Sequence, residues 1–253
     1  MKTKIILIIG LFISTISFGQ SADEIVSRYL DAVGGKKSLD AIKSVKMTGS
    51  VEVGPNMKAP FSMIMKDKTK SRFELEIQGM KMITAVSGDS GWKVVPFTGK
   101  TDPERMSPEE VKDSKEQADF TGDLYNWKEK GSAVELVDKE DMEGTEVFKV
   151  KITKKEGDIT YMYLDAVSYL PLKQSTKIKM KDKEMETATL FSNYKAVNGI
   201  KFAFAMEMRQ GDDATSPGQV MTIETIEVNP AVSEDLFKMP PMKSAVDPAG
   251  TTK

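Results

Sequence analysis

From Val45 onward, apolar and polar residues alternate with a period of two. Val45, Met47, Val51 and Val53 make the first run, Phe61, Met63 and Met65 the second, and Phe73, Leu75 and Ile77 the third. An apolar stretch from Met80 to Val86 turns at Gly88-Asp89-Ser90-Gly91 and returns as Trp92-Lys93-Val94-Val95. Alternation of this kind puts one face of each strand against a core. It breaks at Pro96-Phe97-Thr98-Gly99-Lys100-Thr101-Asp102-Pro103, whose Pro, Gly and Asp content predicts a loop. It resumes at Val134-Leu136, Phe148-Val150-Ile152 and Tyr161 to Leu164, joined by turns at Glu143-Gly144 and Glu156-Gly157-Asp158. Longer runs follow at Leu172 to Met180, Met185 to Tyr194, Ile200 to Met208 and Val220 to Val228. The pattern predicts about twelve strands, spaced as in an all-β barrel or sandwich.

Helical spacing occurs in two places. Near the start, Ser21-Ala22-Asp23-Glu24 is a capping box. Ile25, Val26, Tyr29, Leu30 and Val33 fall on one helical face, and Gly34-Gly35 ends the helix. Lys37 to Lys43 adds a turn or two, with Leu39 and Ile42 facing inward. In mid-chain, Ser107 is a good N-cap, Pro108 suits the first helical position, and Glu110 completes a second capping box. Met106 and Val111 are placed to staple its entry. The body from Glu109 to Gln117 is polar, and only Val111, Ser114 and Ala118 form a thin apolar stripe. Such a helix lies over an apolar surface rather than inside one. The Pro96–Ala118 insert is therefore expected to form a lid across the open side of a curved sheet.

Met1 to Gly19 has the pattern of an export signal. Lys2 and Lys4 precede an apolar run from Ile5 to Ile16, and Ser17 and Gly19 occupy the −3 and −1 positions for cleavage before Gln20. The expected division is a signal at 1–19, one β domain at 20–240 and a flexible tail at 241–253, rich in Pro, Ala, Gly and Thr. The formal net charge is −2 and becomes two units more negative without Lys2 and Lys4. Charges of both signs are interspersed, so nucleic acid is not an expected partner.

The chain contains no Cys and no His. This removes disulfides, Cys/His zinc sites, thiol nucleophiles and Ser-His-Asp triads from consideration. Gly34-Gly35-Lys36-Lys37-Ser38 lacks phosphate-loop spacing and reads as a helix stop. The acidic run Asp138 to Gly144 lacks EF-hand spacing and reads as a solvated hairpin, as does the turn at Asp212-Asp213. No cofactor and no metal are expected, and no catalytic residue stands out. Methionine is frequent, at 17 residues. Met47, Met63, Met65, Met80, Met82, Met162, Met180, Met185, Met206, Met208 and Met221 mostly alternate with polar residues. That pattern fits either an ordinary β core or an adaptable apolar cavity. A broad sheet covered by one thin helix favours the cavity. Its expected lining is Met63, Phe73, Leu75, Ile77, Met82, Trp92, Val111, Phe148, Val150, Phe202 and Phe204. Trp92 and Trp127 could contact a ligand, but each suits core or loop packing better.

Several segments, in order, carry a resemblance that spans nearly all of the chain after the signal. They are Gly34-Gly35, Gly88-Asp89-Ser90-Gly91-Trp92, Pro96-Phe97-Thr98-Gly99, Gly144 with Phe148 to Ile152, and Tyr163-Leu164-Asp165-Ala166 with Leu170-Pro171. Tyr194-Lys195-Ala196-Val197-Asn198-Gly199-Ile200, Val228-Asn229 and Leu236-Phe237-Lys238-Met239-Pro240 complete the set. The sequence resembles the LolA/LolB-like periplasmic proteins. It departs from them at Phe202-Ala203-Phe204, where a proline is expected after the phenylalanine, and Arg72 and Arg105 are its two candidates for the family's lid-locking arginine. The resemblance implies a mainly β fold: a curved, incompletely closed antiparallel β-barrel of about 11–12 strands, with an N-terminal helix and a mid-chain helical lid. It further implies a monomeric periplasmic carrier, not an enzyme, that holds lipoprotein acyl chains or other lipids in lipoprotein sorting to the outer membrane. Membrane-associated donor and acceptor proteins would be its partners. The alternative on the same fold is an envelope sensor or partner-binding module, and a hydrolase ranks third.

Overall fold

The computed structural model describes residues 20–180, 183–210 and 218–242. The expected export signal, the Asp212-Asp213 turn and the tail beyond 242 lie outside the described residues, as do the side chains of Met180 and Met185.

The chain opens with α1 (Ala22–Val33) and the short α2 (Lys36–Asp40). Six strands follow as a meander: β1 (Ser44–Gly54), β2 (Met57–Lys66), β3 (Lys70–Ile77), β4 (Met80–Ser87), β5 (Ser90–Val95) and β6 (Lys100–Arg105). Helix α3 (Pro108–Ala118) and an irregular segment, 119–132, lead to a second meander of seven. These are β7 (Ala133–Met142), β8 (Thr145–Thr153), β9 (Ile159–Asp165), β10 (Pro171–Met180), β11 (Lys183–Val197), β12 (Ile200–Gln210) and β13 (Gln219–Val228). β13 pairs with β1, which fuses both meanders into one antiparallel sheet ordered β6-β5-β4-β3-β2-β1-β13-β12-β11-β10-β9-β8-β7. β6 and β7 are unpaired edges, so the sheet is curled but not closed, as the family resemblance implied.

Among the described residues thirteen strands are present where about twelve were expected. The additional one is β6, within the stretch that read as loop; only Pro96–Thr98 there is a 3-10 turn. β6 carries Pro103, which an edge strand tolerates because one row of its backbone groups needs no ladder partner.

Curvature has a local cause at the junction of the meanders. The register of β1 against β13 shifts between Thr48 and Gly49, and a bulge of this kind bends and coils a sheet. A Cβ on Gly49 would lie 2.0 Å from the Thr222 carbonyl oxygen and 2.9 Å from Phe61 Cε1, so only glycine allows the strands to approach here.

Candidate functional site: an apolar concavity with two covers

Strand register fixes which residues share the inner face. Val45, Met47 and Val51 stand opposite Met65, Met63 and Ala59 of β2; Phe61 and Met63 stand opposite Leu75 and Phe73 of β3; Leu75 stands opposite Met82 of β4. Across the junction, Met221 and Ile223 of β13 align with Val51 and Gly49, and Met206 aligns with Met221. These residues and their inner-face neighbours form one apolar cluster. Phe61 and Phe73 stack at 5.9 Å within it.

Burial along this face is graded. Val45, Phe61, Met65 and Ile223 are buried, whereas Val53, Ile77, Met82, Met206 and Met221 are only half-buried. The half-buried set lies toward the end of the sheet that carries the β1–β2, β3–β4 and β5–β6 turns, so that end is open. At the opposite end α1 closes the sheet. Its buried residues Ile25, Val26, Tyr29 and Val33 enter the cluster. A Cβ on Gly34 would lie 2.7 Å from the Gly199 carbonyl oxygen, so the end of α1 seats directly on the β11–β12 turn. The segment 119–132 adds Leu124 and Tyr125, 0% and 2% exposed. The Tyr125 hydroxyl donates to Asp40 of α2.

The interior has little polar chemistry. Among the described residues the buried polar side chains besides tyrosine are Ser44, Ser71, Thr121, Thr160 and Ser175, none of them charged. Burial, reinforced by the Asp123 and Asp119 carboxylates, pushes the Tyr29 hydroxyl up to about 12. Burial likewise pushes Tyr194 upward, and its hydroxyl donates to the Pro171 carbonyl at 2.8 Å. Both phenols are therefore neutral at physiological pH. Such a face is suited to removing hydrocarbon from water, worth about 0.8 kcal/mol per CH₂.

α3 covers the concavity differently. Its capping box forms as the sequence predicts: Glu110 N–H donates to Ser107 Oγ at 3.2 Å and Ser107 N–H donates to Glu110 Oε2 at 2.9 Å. Val111 and Ala118 are buried and Ser114 is half-buried, which is the predicted stripe. The helix rests on β3, β4 and β5. Ion pairs then tie it to both sides of the gap between the sheet edges. Glu110 pairs with Lys93, and Lys115 pairs with Asp89 at 2.7 Å, on the β4–β5 side. Lys112 pairs with Asp158 at 3.1 Å and Glu116 with Lys154 at 2.6 Å, on the β8–β9 side. The Lys93 hydrogen bond lowers Glu110 below the usual carboxylate range, and the Lys115 hydrogen bond lowers Asp89. The Asp158 hydrogen bond raises Lys112. Burial opposes charging of Lys154, but the Glu116 hydrogen bond and the Asp123 charge outweigh it and raise that lysine too. A cleft of about 430 Å³ remains beside α3, between Gly91, Arg105, Met106 and Val111.

Most of the expected lining is brought together. Leu75, Phe148, Val150 and Phe204 are buried in the cluster, and Met63, Phe73, Ile77, Met82 and Phe202 pack against it half-buried. Val111 is buried on the inner side of α3. Trp92 is not part of this lining. It pairs with Ala85 and alternates with Gly91 and Lys93, so it occupies the outer face. There Trp92 Nε1 donates to the Phe237 carbonyl at 2.9 Å, and the Arg72 guanidinium lies 5.2 Å from its ring centroid. Arg72 also donates to the Leu236 carbonyl at 2.7 Å. Of the two arginine candidates, Arg72 therefore anchors the C-terminal 3-10 turn (Glu234–Phe237), while Arg105 lines the cleft beside α3. Glu234 of that turn is held at about 2 by hydrogen bonds from Lys66 and Lys70. The plugging residues Leu124 and Tyr125 escaped the sequence reading. Their segment has no regular period, and the only available signal was its aromatic content.

This incompletely closed antiparallel barrel, plugged at one end by α1 and crossed by α3, shares its fold with several proteins of known structure. The sequence matches no protein-family model and no curated protein. Among solved structures, the chain is similar to a LolA superfamily protein from Nitrosomonas europaea, with 11% identity, 87% of this chain and 98% of that one covered, and a TM-score of 0.57. It is similar to a DUF1329 family protein from Desulfovibrio piger, with 15% identity, 86% and 97% covered, and a TM-score of 0.56. A candidate outer membrane lipoprotein-sorting protein domain from Vibrio parahaemolyticus has 15% identity, 84% and 97% covered, and a TM-score of 0.52.

Proposed function

We propose that this protein is a non-enzymatic periplasmic carrier. It would bind acyl chains of lipids or lipoproteins on the concave face and serve lipoprotein sorting to the outer membrane. The observation that carries this reading is the graded inner face: predominantly apolar, packed at the α1 end and half-exposed at the other. Acyl binding needs contiguous apolar surface and no catalytic group. The similarity to a lipoprotein-sorting domain supports the same direction. In this reading residues 1–19 direct export and are removed, the chain works as a monomer, and membrane-associated donors and acceptors load and unload it. Met63, Phe73, Leu75, Ile77, Met82, Phe148, Val150, Phe202 and Phe204 contribute the apolar wall, and Val111 contributes from the lid. α3 moves to admit the chain, because ion pairs hold it more than apolar contact does.

The test uses the absence of native cysteine. Lys112→Cys with Asp158→Cys, bridged by a short bis-maleimide, pins α3 to the β8–β9 turn. Pinned protein should lose uptake of a fluorescent fatty acid that the unbridged double variant takes up. Equal uptake by both would show that α3 is no gate, and absence of uptake by either would leave the concavity as packed core.

The sensor or partner-binding alternative has one specific observation in its favour. β7 is an unpaired edge, and its Val137 is 49% exposed. An edge strand of that kind can add a strand from another chain.

A further inference from the structure

The open end of the concavity has a rim of its own. Met57 begins β2, Met80 begins β4, and Phe97 lies in the turn after β5, so the β1–β2, β3–β4 and β5–β6 tips each present a large apolar side chain. Met208 stands at the same end of β12, opposite Gln219 of β13. Their exposures are 38%, 40%, 41% and 37%. Met57, Met80 and Met208 belong to the inner-face phase of their strands, because they continue the alternation of Ala59, Met82 and Met206. The apolar wall therefore runs outward without interruption into the rim. Alternate tips stand about 10 Å apart at ordinary strand spacing, so the anchors form an arc around an opening rather than one compact patch.

Among the described residues, charges beside the anchors pair with one another. Lys58 pairs with Glu52 at 3.7 Å, Lys81 with Glu74 at 3.2 Å, Lys100 with Glu104 at 2.8 Å and Arg209 with Glu207 at 2.7 Å. The rim thus offers apolar tips with ion pairs behind them. A strongly acidic or basic protein gains little from such a surface, whereas an interface of hydrocarbon beneath neutral headgroups matches it. One planar, deformable partner also meets every point of the arc at once.

We propose that this rim docks on the surface of a phospholipid bilayer. Met57, Met80, Phe97 and Met208 enter the interface, and the mouth of the concavity faces the acyl layer. The inference rests on the reading of the concavity as an acyl-chain site, since docking gives a chain a path from bilayer to wall that avoids water.

Flotation with phosphatidylcholine–phosphatidylethanolamine liposomes tests it, using the chain without residues 1–19. The wild type should float with them, and the floated fraction should persist from about 0.1 to about 1 M salt. The quadruple variant M57S/M80S/F97S/M208S should lose partitioning by about tenfold or more. V167S, at an 88% exposed site in the β9–β10 turn at the other end, should float as the wild type does. A bimane label at Gln78→Cys, on the β3–β4 tip of otherwise intact protein, should shift to the blue on liposomes, and one at Val167→Cys should not. This measurement stands even if the quadruple variant misfolds. Absence of flotation, flotation lost in high salt, or a shift at Val167 alone would overturn the proposal. So would binding confined to native envelope membranes and abolished by protease, which would make the partner a protein. Uptake of the fatty-acid probe in solution separates the two readings. Protein that takes up the probe but never floats retains the cavity and loses the docking; protein that floats but takes up nothing does the reverse.

Discussion

Two helices lie against the same curved sheet and are held by different forces. α1 inserts Ile25, 0% exposed, together with Val26, Tyr29 and Val33, and joins the central cluster. α3 contributes only Val111 and Ala118, and it is tied down by ion pairs among mostly exposed groups. Apolar burial is lost only by opening the core, whereas exposed ion pairs exchange readily with water and weaken in salt. Under the proposed carrier function, α1 belongs to the permanent structure and α3 is the part expected to open at low cost.

The largest expected effect tests the permanent side. Ile25→Ala should destabilise by about 2–5 kcal/mol and Phe148→Ala by about 3–5 kcal/mol in urea unfolding, because each empties a site the core cannot refill. A loss below about 1 kcal/mol for both would mean that the closed end is loosely packed.

The next effect separates the helices directly. Val111→Ala should cost only about 1 kcal/mol globally, yet it should raise amide exchange in α3 while leaving α1 protected. Equal loss of protection in both helices would make them one cooperative unit and end the distinction.

Salt gives a smaller effect. Raising it to about 1 M should lower α3 protection by roughly two- to tenfold with little change in α1. Lys93→Gln should reproduce part of that change at low salt.

The smallest effect is pH dependence. Glu110 and Asp89 have lowered folded-state pKa values, so their contribution is complete above the ordinary carboxylate range and is lost as pH falls through the lowered values. Lys112 and Lys154 are raised, so theirs is complete below the ordinary lysine value and is lost as pH rises through the raised ones. α3 protection factors should therefore be flat between roughly pH 5 and 9 and fall on either side. A transition near neutrality would point to groups other than these.

Local signals were legible without the structure. The capping box at Ser107, the one-sided face of α1 and the thin stripe of α3 depend on residues three or four apart, and each formed as read. At Ser21 half of the box formed: its hydroxyl accepts from the Glu24 N–H, while the Glu24 carboxylate pairs with Arg28. Most strands were equally legible, because a period of two is set by the pleat itself. β6 was missed because an edge strand can carry the same Pro and Gly signals that mark a loop.

For the concavity, alternation alone identified the inner phase where one face of a strand is clearly polar, as at Phe61, Met63, Phe73 and Leu75. It placed Met82 of β4 inside but failed in β5 at Trp92, because Ile83, Ala85, Trp92 and Val94 make the outer face of these two strands apolar too. Their cover arrives from the C-terminal turn: the Trp92–Phe237 hydrogen bond joins residues 145 positions apart. The plug at Leu124 and Tyr125 has the same origin, an irregular segment ordered by contacts with α2 and the core. The sequence by itself determined most of the elements, the helix starts and the absence of Cys and His chemistry. Which apolar faces point inward, which end stays open and what covers each were decided by the tertiary structure, because those outcomes depend on pairings across the whole chain that no local spacing records.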